Sequence, residues 1–315
     1  MLLCSFVGLG VFAVSPTLVQ PLPRSPQSRS NLQRSLDAVC KSFNGRMGYC
    51  LKVLKTGETI SFRGDERFPT ASTIKTAVMM AAVQMIDEGK LKWSDKRAVP
   101  PMSGRQASMW AYHFRDGVSP DVDGWVNLMI TVSDNTATMV LREWLGPENI
   151  NERLAKLGLR NTKVLSNAMK AEADQRLRGM FGLGVTTPKE MNRLLELIHL
   201  QKAASPAACE RMIRILGKQY WDDAIGATVP PQIQVASKSG AINRSRSDSA
   251  IVYSSNPYIL TIYTDSQKDQ RWSPDNEGDR ALVKLSRTVW NFLHPNEAYV
   301  PPAGSEKFSP TGGGA

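Results

Sequence analysis

A serine and a lysine three positions apart, Ser72 and Lys75, stand at the start of a strongly helical stretch. The segment reads RFPTASTIKTAVMMAAVQMIDEGKL, in which Pro69 and Thr70 break the preceding chain and Gly89 offers a left-handed helix end. Between these breaks Ala, Met, Val and Ile recur at helical spacing, which predicts a helix that is buried on most sides. No other segment says as much about the chain.

The same helix carries a candidate nucleophile. Residues three apart lie on one helix face, and Ser72 falls in the first turn, where free backbone N–H groups and the positive dipole end favour an oxyanion. Desolvation lowers the pKa of a lysine, which would make Lys75 a partner base. The alternative is a core helix with an incidental Ser and Lys, because SxxK alone is a short pattern.

Two more motifs follow in order. An SDN begins at Ser133 in MITVSDNTATMVL, and a KSG begins at Lys238 in IQVASKSGAI, where Lys238 is predicted to end a strand. An earlier KTG at Lys55 lies between two alternating apolar runs and is interpreted as the solvated turn of a β-hairpin. The order SxxK, SxN, K[ST]G is typical of class A β-lactamases and penicillin-binding proteins.

The resemblance extends beyond the motifs. GYCLKVLKTGETISFRGDERFPTASTIK resembles the first two strands and nucleophile helix of class A β-lactamases, and GVTTPKEMNRLLELI resembles the helix after their Ω loop. The similarity covers residues 31–296. The chain thus resembles class A-like serine β-lactamases, which implies opening of β-lactam amides through a covalent acyl-serine.

The resemblance also implies catalytic roles. Ser72 would attack the acyl carbonyl, and Lys75 would take its proton directly or through water. Ser133 would relay a proton to the leaving nitrogen, while Asp134 is structural. The implied substrate-binding residues supply an amide contact, a carboxylate site and, with the N–H of Ser72, an oxyanion hole; they are Asn135, Lys238, Ser239, Gly240 and Ala241.

Two further positions are candidates for substrate binding. Arg246, with Arg244 as the alternative, lies just past the KSG, where a guanidinium would match a substrate carboxylate. Trp110 precedes the SDN and would form an aromatic wall, a role for which Tyr112 is the alternative. A surface arginine and simple core packing are the competing interpretations.

The Ω-loop region departs from the family. Class A enzymes carry a glutamate there, in an ExxLN pattern, which activates the deacylating water, but LSNAMKAEADQRLRGMFGLGVTTP has no ExxLN. Counting back from Thr187 and Pro188 places Glu172 near the expected position, with Asp174 close by, yet the residue four after Glu172 is Arg176. Glu172 is either the deacylation base or a solvated carboxylate. Without a base the acyl-enzyme would persist.

The fold class that follows is α+β. Strands near both ends of the chain, around a helical middle, predict an antiparallel five-stranded sheet flanked by helices, plus an all-α lobe. The active site should lie between the lobes. The predicted strands are 47–54, 58–63, 232–239, 247–254 and 258–264, with helices at 31–42 and 279–292.

Composition fits an exported enzyme. A chain of 315 residues with 42% hydrophobic content can bury a substantial core. Residues 1–14 are apolar and resemble the hydrophobic region of an export signal, so we expect a periplasmic or extracellular protein, with an uncleaved anchor as the alternative. No stable membrane span is expected in the mature chain. The predicted organisation is 1–30 signal and Pro/Ser-rich linker, 31–296 catalytic domain, and 297–315 disordered tail.

Other classes of protein fit less well. The net charge of +10 comes from scattered basic residues, which argues against nucleic acid. No HExxH, paired-Cys spacing, Walker A or Rossmann fingerprint indicates a metal or cofactor, and no GxSxG indicates a Ser-His-Asp hydrolase. Cys40 and Cys50 are close enough in sequence to pair, although buried free thiols are favoured.

Three functions remain open. The first is a monomeric β-lactamase acting on a small-molecule β-lactam. The second is a peptidase for a D-Ala-D-Ala-like peptide, or another serine acyl hydrolase on the same scaffold. The third is a penicillin-binding or sensor domain that acylates without turnover.

Overall fold

An antiparallel sheet of five strands forms one side of the molecule. The structure, a computed structural model, describes residues 26–107 and 109–304. In this sheet the strand order is β2-β1-β8-β7-β6, so β6 is an edge strand. The strands are β1 Arg46–Val53, β2 Thr59–Phe62, β6 Gln234–Ile242, β7 Ser245–Tyr253 and β8 Tyr258–Asp265.

The predicted hairpin turn at Lys55 is confirmed. Strands β1 and β2 pair antiparallel, with Cys50 opposite Ser61, and the turn between them includes Gly57 at a φ of 72°. Glycine adopts this left-handed conformation without the steric penalty of a Cβ atom. The KTG motif is therefore a surface turn, remote from the KSG strand.

A small second sheet lies where the helical part of the chain meets the large sheet. Its order is β3-β5-β4, from strands β3 Phe68–Pro69, β4 Lys163–Val164 and β5 Gly184–Thr186. Strand β3 leads directly into the segment that carries Ser72. Thr70 N donates to the carbonyl oxygen of Gly184 (3.0 Å), which ties that segment to the Ω-loop region.

Helices cover both faces of the large sheet and form the second lobe. The helices are α1 Pro26–Ser42, α2 Lys75–Asp87, α3 Val122–Thr131, α4 Asn135–Leu145, α5 Pro147–Lys156, α6 Glu172–Phe181, α7 Pro188–His199, α8 Pro206–Leu216 and α9 Glu277–Leu293. Helices α1 and α9 pack on one face of the large sheet and α7 on the other. Helices α3, α4, α5 and α8 surround α2, and α6 packs on the small sheet.

The two lobes have separate hydrophobic cores. Every residue of α2 from Lys75 to Val83 is buried, so the helix lies inside the helical lobe as its apolar composition predicts. The other core lies between the sheet and the pair α1 and α9, around the fully buried Trp290. The predicted α+β architecture is confirmed.

Several boundaries differ from the sequence predictions. Helix α1 begins at Pro26, so the last five residues of the predicted linker are helical. Strand β6 continues past Lys238 to Ile242, which places the KSG within the strand. The nucleophile segment begins with a 3-10 turn, Ala71–Ile74, before α2 becomes regular.

The preference for free thiols is confirmed. Cys40, Cys50 and Cys209 are buried and unpaired in the described part of the chain. Burial raises the pKa of the Cys40 and Cys50 thiols to about 12. The predicted export signal, with Cys4, and residues 305–315 of the predicted tail lie outside the described residues. Within 26–107 and 109–304, no helix is both long and apolar enough to cross a membrane.

Candidate active site

The SxxK motif lies at a sharp change of backbone direction. Ala71 has a φ of 44°, in the left-handed region that non-glycine residues seldom adopt. The 3-10 turn that follows is fixed by Thr73, whose hydroxyl donates to the carbonyl of Thr70 (2.8 Å) and lies 3.0 Å from the hydroxyl of Tyr263. Ser72 is left 5% exposed, at the wall of a cavity.

Lys75 contacts the SDN motif. Its Nζ donates to the carbonyl oxygen of Ser133 (2.6 Å) and to Oδ1 of Asn135 (2.8 Å), and it lies 3.0 Å from Oγ of Ser133. In the described part of the chain no hydrogen bond joins the side chains of Lys75 and Ser72, although the backbone N–H of Lys75 donates to the carbonyl oxygen of Ser72. A proton from Ser72 would therefore reach Lys75 through a short relay.

The surroundings of Lys75 disfavour the charged form of its amine. Burial lowers the pKa of Lys75 well below its usual value, and the positive charge of Lys238 lowers it further, although Asp134 opposes the shift. A neutral amine keeps a lone pair. It can therefore accept a proton across the 3.0 Å contact with Ser133 Oγ.

The backbone conformation of the SDN motif orients the Ser133 side chain. Ser133 has a φ of 60° and is 3% exposed, and its side chain lines the same cavity as Ser72. Asp134 is fully buried and caps α4 by accepting from Ala137 N (2.8 Å). It also accepts from Ala111 N (2.8 Å), which holds the preceding loop. This agrees with the structural role expected for Asp134.

The KSG motif approaches from the sheet. A Cβ atom built on Gly240 would lie 2.8 Å from each of three atoms, Ser72 N, Thr70 O and Ser247 Oγ. Only glycine lets β6 come this close to the start of the nucleophile segment. The edge of β6 and the N–H of Ser72 are thereby brought side by side, with Ala241 next along the strand and also lining the cavity.

Lys238 is a second buried lysine. It is fully buried, and its Nζ donates to the carbonyl oxygen of Ser239 (3.0 Å). Burial lowers the pKa of Lys238 to about 7, although the charges of Asp248 and Asp223 oppose the shift. Near neutral pH this residue therefore lies close to its own midpoint of protonation.

Sequence reasoning missed Gln219. With its amide nitrogen facing the carbonyls of Ile130 and Thr131 (3.0 Å each), its oxygen accepts from Ser239 N (2.9 Å) and Lys238 Nζ (2.8 Å). Gln219 thus joins the KSG strand to the end of α3. No motif marks a lone glutamine, so only the three-dimensional structure identifies it.

A group of carboxylates near Lys238 was also missed. Asp222 and Asp223 line the cavity, and Asp248 lies fully buried behind them. Burial raises the pKa of Asp222 to about 6 and that of Asp248 to about 7, and it raises the pKa of Asp223 as well. Asp248 accepts from Ile225 N (2.9 Å) and Ser249 N (2.8 Å), which fixes the loop before β6.

The structure corrects the prediction for Arg246. Although it lines the cavity, its side chain is 4% exposed and its guanidinium already has partners. These are Asp279 (Nε to Oδ2, 3.1 Å), the carbonyl oxygens of Ile242, Ser245 and Arg271, and the ring of Trp272 at 4.6 Å. Arg246 therefore fastens the β6–β7 turn to α9 and has no free fork for a substrate carboxylate. The alternative, Arg244, is exposed and lines a neighbouring cavity.

Glu172 is not in the site. It is the first residue of α6, its side chain is 83% exposed, and it is paired with Arg176 one turn later. Asp174 is paired with Lys163 (3.0 Å). The structure thus supports the interpretation of Glu172 as a solvated carboxylate, because its side chain is exposed and does not line the cavity that contains Ser72.

Trp110 also lies outside the cavity that contains Ser72. It begins the short turn Trp110–His113 and is 57% exposed. The aromatic residues near the motifs that do line the cavity are Tyr220, Trp221 and Trp272.

The motif residues share one cavity of about 980 Å³. Its lining includes Ser72, Ser133, Ser239, Gly240 and Ala241, from the nucleophile segment, the helical lobe and the sheet edge. Three motif residues contact this lining from behind, as described above: Lys75, Asn135 and Lys238. The arrangement offers a serine hydroxyl, a proton relay and backbone donors at one place, which is the equipment of a serine acyl transferase or hydrolase.

Comparison with known proteins agrees with this class. The sequence matches the β-lactamase enzyme family over residues 31–293, and the chain belongs to that family. It is 23% identical to β-lactamase BRO-1 of Moraxella catarrhalis, over 80% of each chain. It is 25% identical to β-lactamase AER-1 of Aeromonas hydrophila, over 90% of each.

Solved structures show the same fold. A β-lactamase from Sphaerobacter thermophilus is 25% identical and superposes with a TM-score of 0.73, covering 87% of this chain and 99% of that one. A point mutant of PBP-A, in an acyl-enzyme complex with penicillin G, is 24% identical with a TM-score of 0.73, over 84% and 97% of the two chains. The protein is a class A-like serine β-lactamase by family and fold.

The tight contact at Gly240 predicts a sensitive position. Gly240→Ala should slow labelling of Ser72 by a fluorescent penicillin by about 100-fold, because the methyl group must push β6 away from Ser72 N. The control is Gly179→Ala in α6, where an added Cβ meets nothing within 4 Å. Equal labelling rates in the two variants would show that the close approach is not required.

Proposed function

We propose that the protein opens β-lactam amides by acylation of Ser72. The observation that carries this proposal is the 3.0 Å contact between Lys75 Nζ and Ser133 Oγ, beside the nucleophile and within one cavity. The lowered pKa of Lys75 increases the share of its amine that is neutral and able to accept a proton. A serine beside it can pass that proton to the leaving nitrogen.

In acylation, Ser72 Oγ attacks the carbonyl carbon and its proton moves to Lys75 through a water or through Ser133. The oxygen of the tetrahedral intermediate is stabilised by the N–H groups of Ser72 and Ala241. When the ring C–N bond breaks, Ser133 gives its hydroxyl proton to the nitrogen and recovers one from Lys75. The products of this step are the Ser72 ester and a free amine.

The substrate carboxylate is assigned to the KSG strand. Lys238 supplies positive charge behind Ser239, whose side chain lines the cavity. Arg246 contributes indirectly, because it neutralises Asp279 and holds the β6–β7 turn. Asn135 is assigned to the substrate side-chain amide, although in the free protein its oxygen accepts from Lys75.

We expect deacylation to be the slower step of the reaction. Glu172 is solvated and outside the cavity, so no Ω-loop glutamate activates water in the described chain. The Lys75–Ser133 pair remains as the base for hydrolysis. We therefore propose slow turnover, and this makes a penicillin-binding protein, in which the acyl-enzyme persists, the second candidate.

Export and a monomeric state belong to the same proposal. Export rests on the apolar residues 1–14, which precede a domain whose family acts on β-lactams. A D-Ala-D-Ala-like peptide is the alternative substrate, since it also presents an acyl carbonyl and a carboxylate.

The first experiment follows a chromogenic cephalosporin over many equivalents. We expect a burst of one equivalent followed by slower, sustained turnover, with both phases lost in Ser72→Ala. The absence of any burst in the wild-type protein would overturn the proposed function. A burst without subsequent turnover would select the penicillin-binding candidate.

Glu172→Gln should leave steady-state turnover unchanged within about twofold, since surface ion pairs contribute little. Acyl-enzyme lifetime, measured by mass spectrometry, checks this expectation. Asp65→Asn, at another exposed ion pair, is the matched control. A trapped acyl-enzyme in Glu172→Gln alone would restore Glu172 as the base.

The pKa of Lys238 predicts a pH dependence. Below about pH 7 its amine is charged, and above that it becomes neutral, so kcat/KM for an anionic β-lactam should fall as the pH rises. The profile from about pH 6 to about pH 9 measures this, since it spans the Lys238 midpoint. Lys238→Arg keeps its charge throughout and should remove the decline. A wild-type profile that is flat across this range would contradict the assignment.

A further inference from the structure

The cavity extends well beyond the catalytic motifs. Besides Ser72 and Ser133, its lining includes residues of the loop before β6, of helix α9 and of the segment 299–303. Its volume of about 980 Å³ is at the upper end for small-ligand sites. The part beside α9 has no role in the proposed acylation chemistry.

Helix α9 presents a row of positive charge to this part of the cavity. Arg280, Lys284 and Arg287 are spaced four and three positions apart, so they lie on one helix face, and all three line the cavity. Leu285, on the other face of the helix, is buried in the core between α9 and the sheet.

These cations form no ion pairs in the part of the chain that the structure describes. Within residues 26–107 and 109–304, no ion pair involves Arg280, Lys284 or Arg287, whereas Arg246 on the neighbouring wall is paired with Asp279. The helix dipole does not account for them either, because the last turn of α9 contains no basic residue. Like charges at this spacing destabilise a helix slightly, so the row needs another explanation.

One of these side chains has an orphaned donor. Arg287 Nε is buried and has no hydrogen-bond partner among the described residues. A buried donor without an acceptor is unfavourable, and carboxylates are among the acceptors that match a guanidinium. Because Arg287 also lines the cavity, an anion bound there would meet a guanidinium that still lacks an acceptor.

The segment after α9 adds an apolar wall to the cavity. Tyr299, Val300, Pro301 and Pro302 line the cavity, and Val300 is 77% exposed. A wall of this kind suits an organic chain better than a compact inorganic anion. Of the three carboxylates in the lining, Asp279 is paired with Arg246 (3.1 Å), and Asp222 and Asp223 belong to the loop before β6 rather than to α9.

We propose that the α9 part of the cavity binds the carboxylates of an acidic peptide, as an extension of the substrate that occupies the catalytic part. The row of cations contacts the acidic side chains, and the 299–302 wall contacts the peptide backbone. The link to acylation rests on the proposed function, whereas the binding itself does not.

The test uses a fluorescein-labelled hexaglutamate peptide and fluorescence anisotropy with the full-length protein. The variant is the triple change Arg280→Gln, Lys284→Gln, Arg287→Gln. We expect saturable binding to the wild-type protein and an affinity about tenfold or more weaker in the variant, because charge-assisted contacts are lost. Binding should persist in Ser72→Ala, which separates this site from the acylation chemistry.

The matched control removes the same net charge elsewhere, with Lys55→Gln, Lys156→Gln and Lys202→Gln, which are exposed and outside the cavity. It should weaken binding less than about twofold, since exposed charges far from the site act weakly. Equal losses in the two triple variants would overturn the proposal in favour of non-specific attraction to a +10 protein. Saturable binding of inorganic tripolyphosphate but not of the peptide would overturn the peptide assignment.

A last measurement tests continuity with the catalytic part. The peptide should raise the KM of a chromogenic cephalosporin in the wild-type protein and in the control variant, but not in the α9 variant. Peptide binding without any effect on KM in the wild-type protein would refute the extension of the substrate site.

Discussion

The site depends on the close approach of strand β6 to the start of the nucleophile segment. Gly240 leaves no side chain between them, and the hydroxyl of Ser247 lies 3.1 Å from the carbonyl oxygens of both Thr70 and Gly240. This contact joins the sheet to the helical lobe, each of which has its own hydrophobic core. A change in this contact would therefore affect both the catalytic geometry and the packing of the two lobes.

Two buried lysines set the electrostatics of this junction. Lys75 and Lys238 are both fully buried, and the charge of Lys238 adds to the effect of burial in lowering the pKa of Lys75. The carboxylates Asp248 and Asp223 counter the shift at Lys238, which retains a pKa of about 7. The charged form of Lys75, which is placed for proton transfer, is thereby disfavoured, while Lys238 can still carry charge for an anionic substrate.

The sequence correctly predicted the features that depend on residues close together in the chain. SxxK, SDN and KSG fall on the expected elements, because each motif is contiguous and its backbone context follows from periodicity and turn residues. Arg246 was misjudged because its partner Asp279 is distant in sequence. The role of Glu172 was uncertain because its segment has no ExxLN pattern; in the structure this segment forms the short helix α6. Gln219 and Asp248 act through contacts between segments far apart, and no local pattern reveals such contacts.

The left-handed backbone at Ser133 has a consequence for how this position can evolve. Such a conformation costs a non-glycine residue roughly 1–2 kcal/mol, and Ser133 holds it at a φ of 60°. Glycine there would relax the backbone and stabilise the fold, but it would delete the hydroxyl that contacts Lys75. Selection for stability and selection for chemistry thus act in opposite directions on one residue, and a protein that no longer needed the reaction would gain by losing this serine.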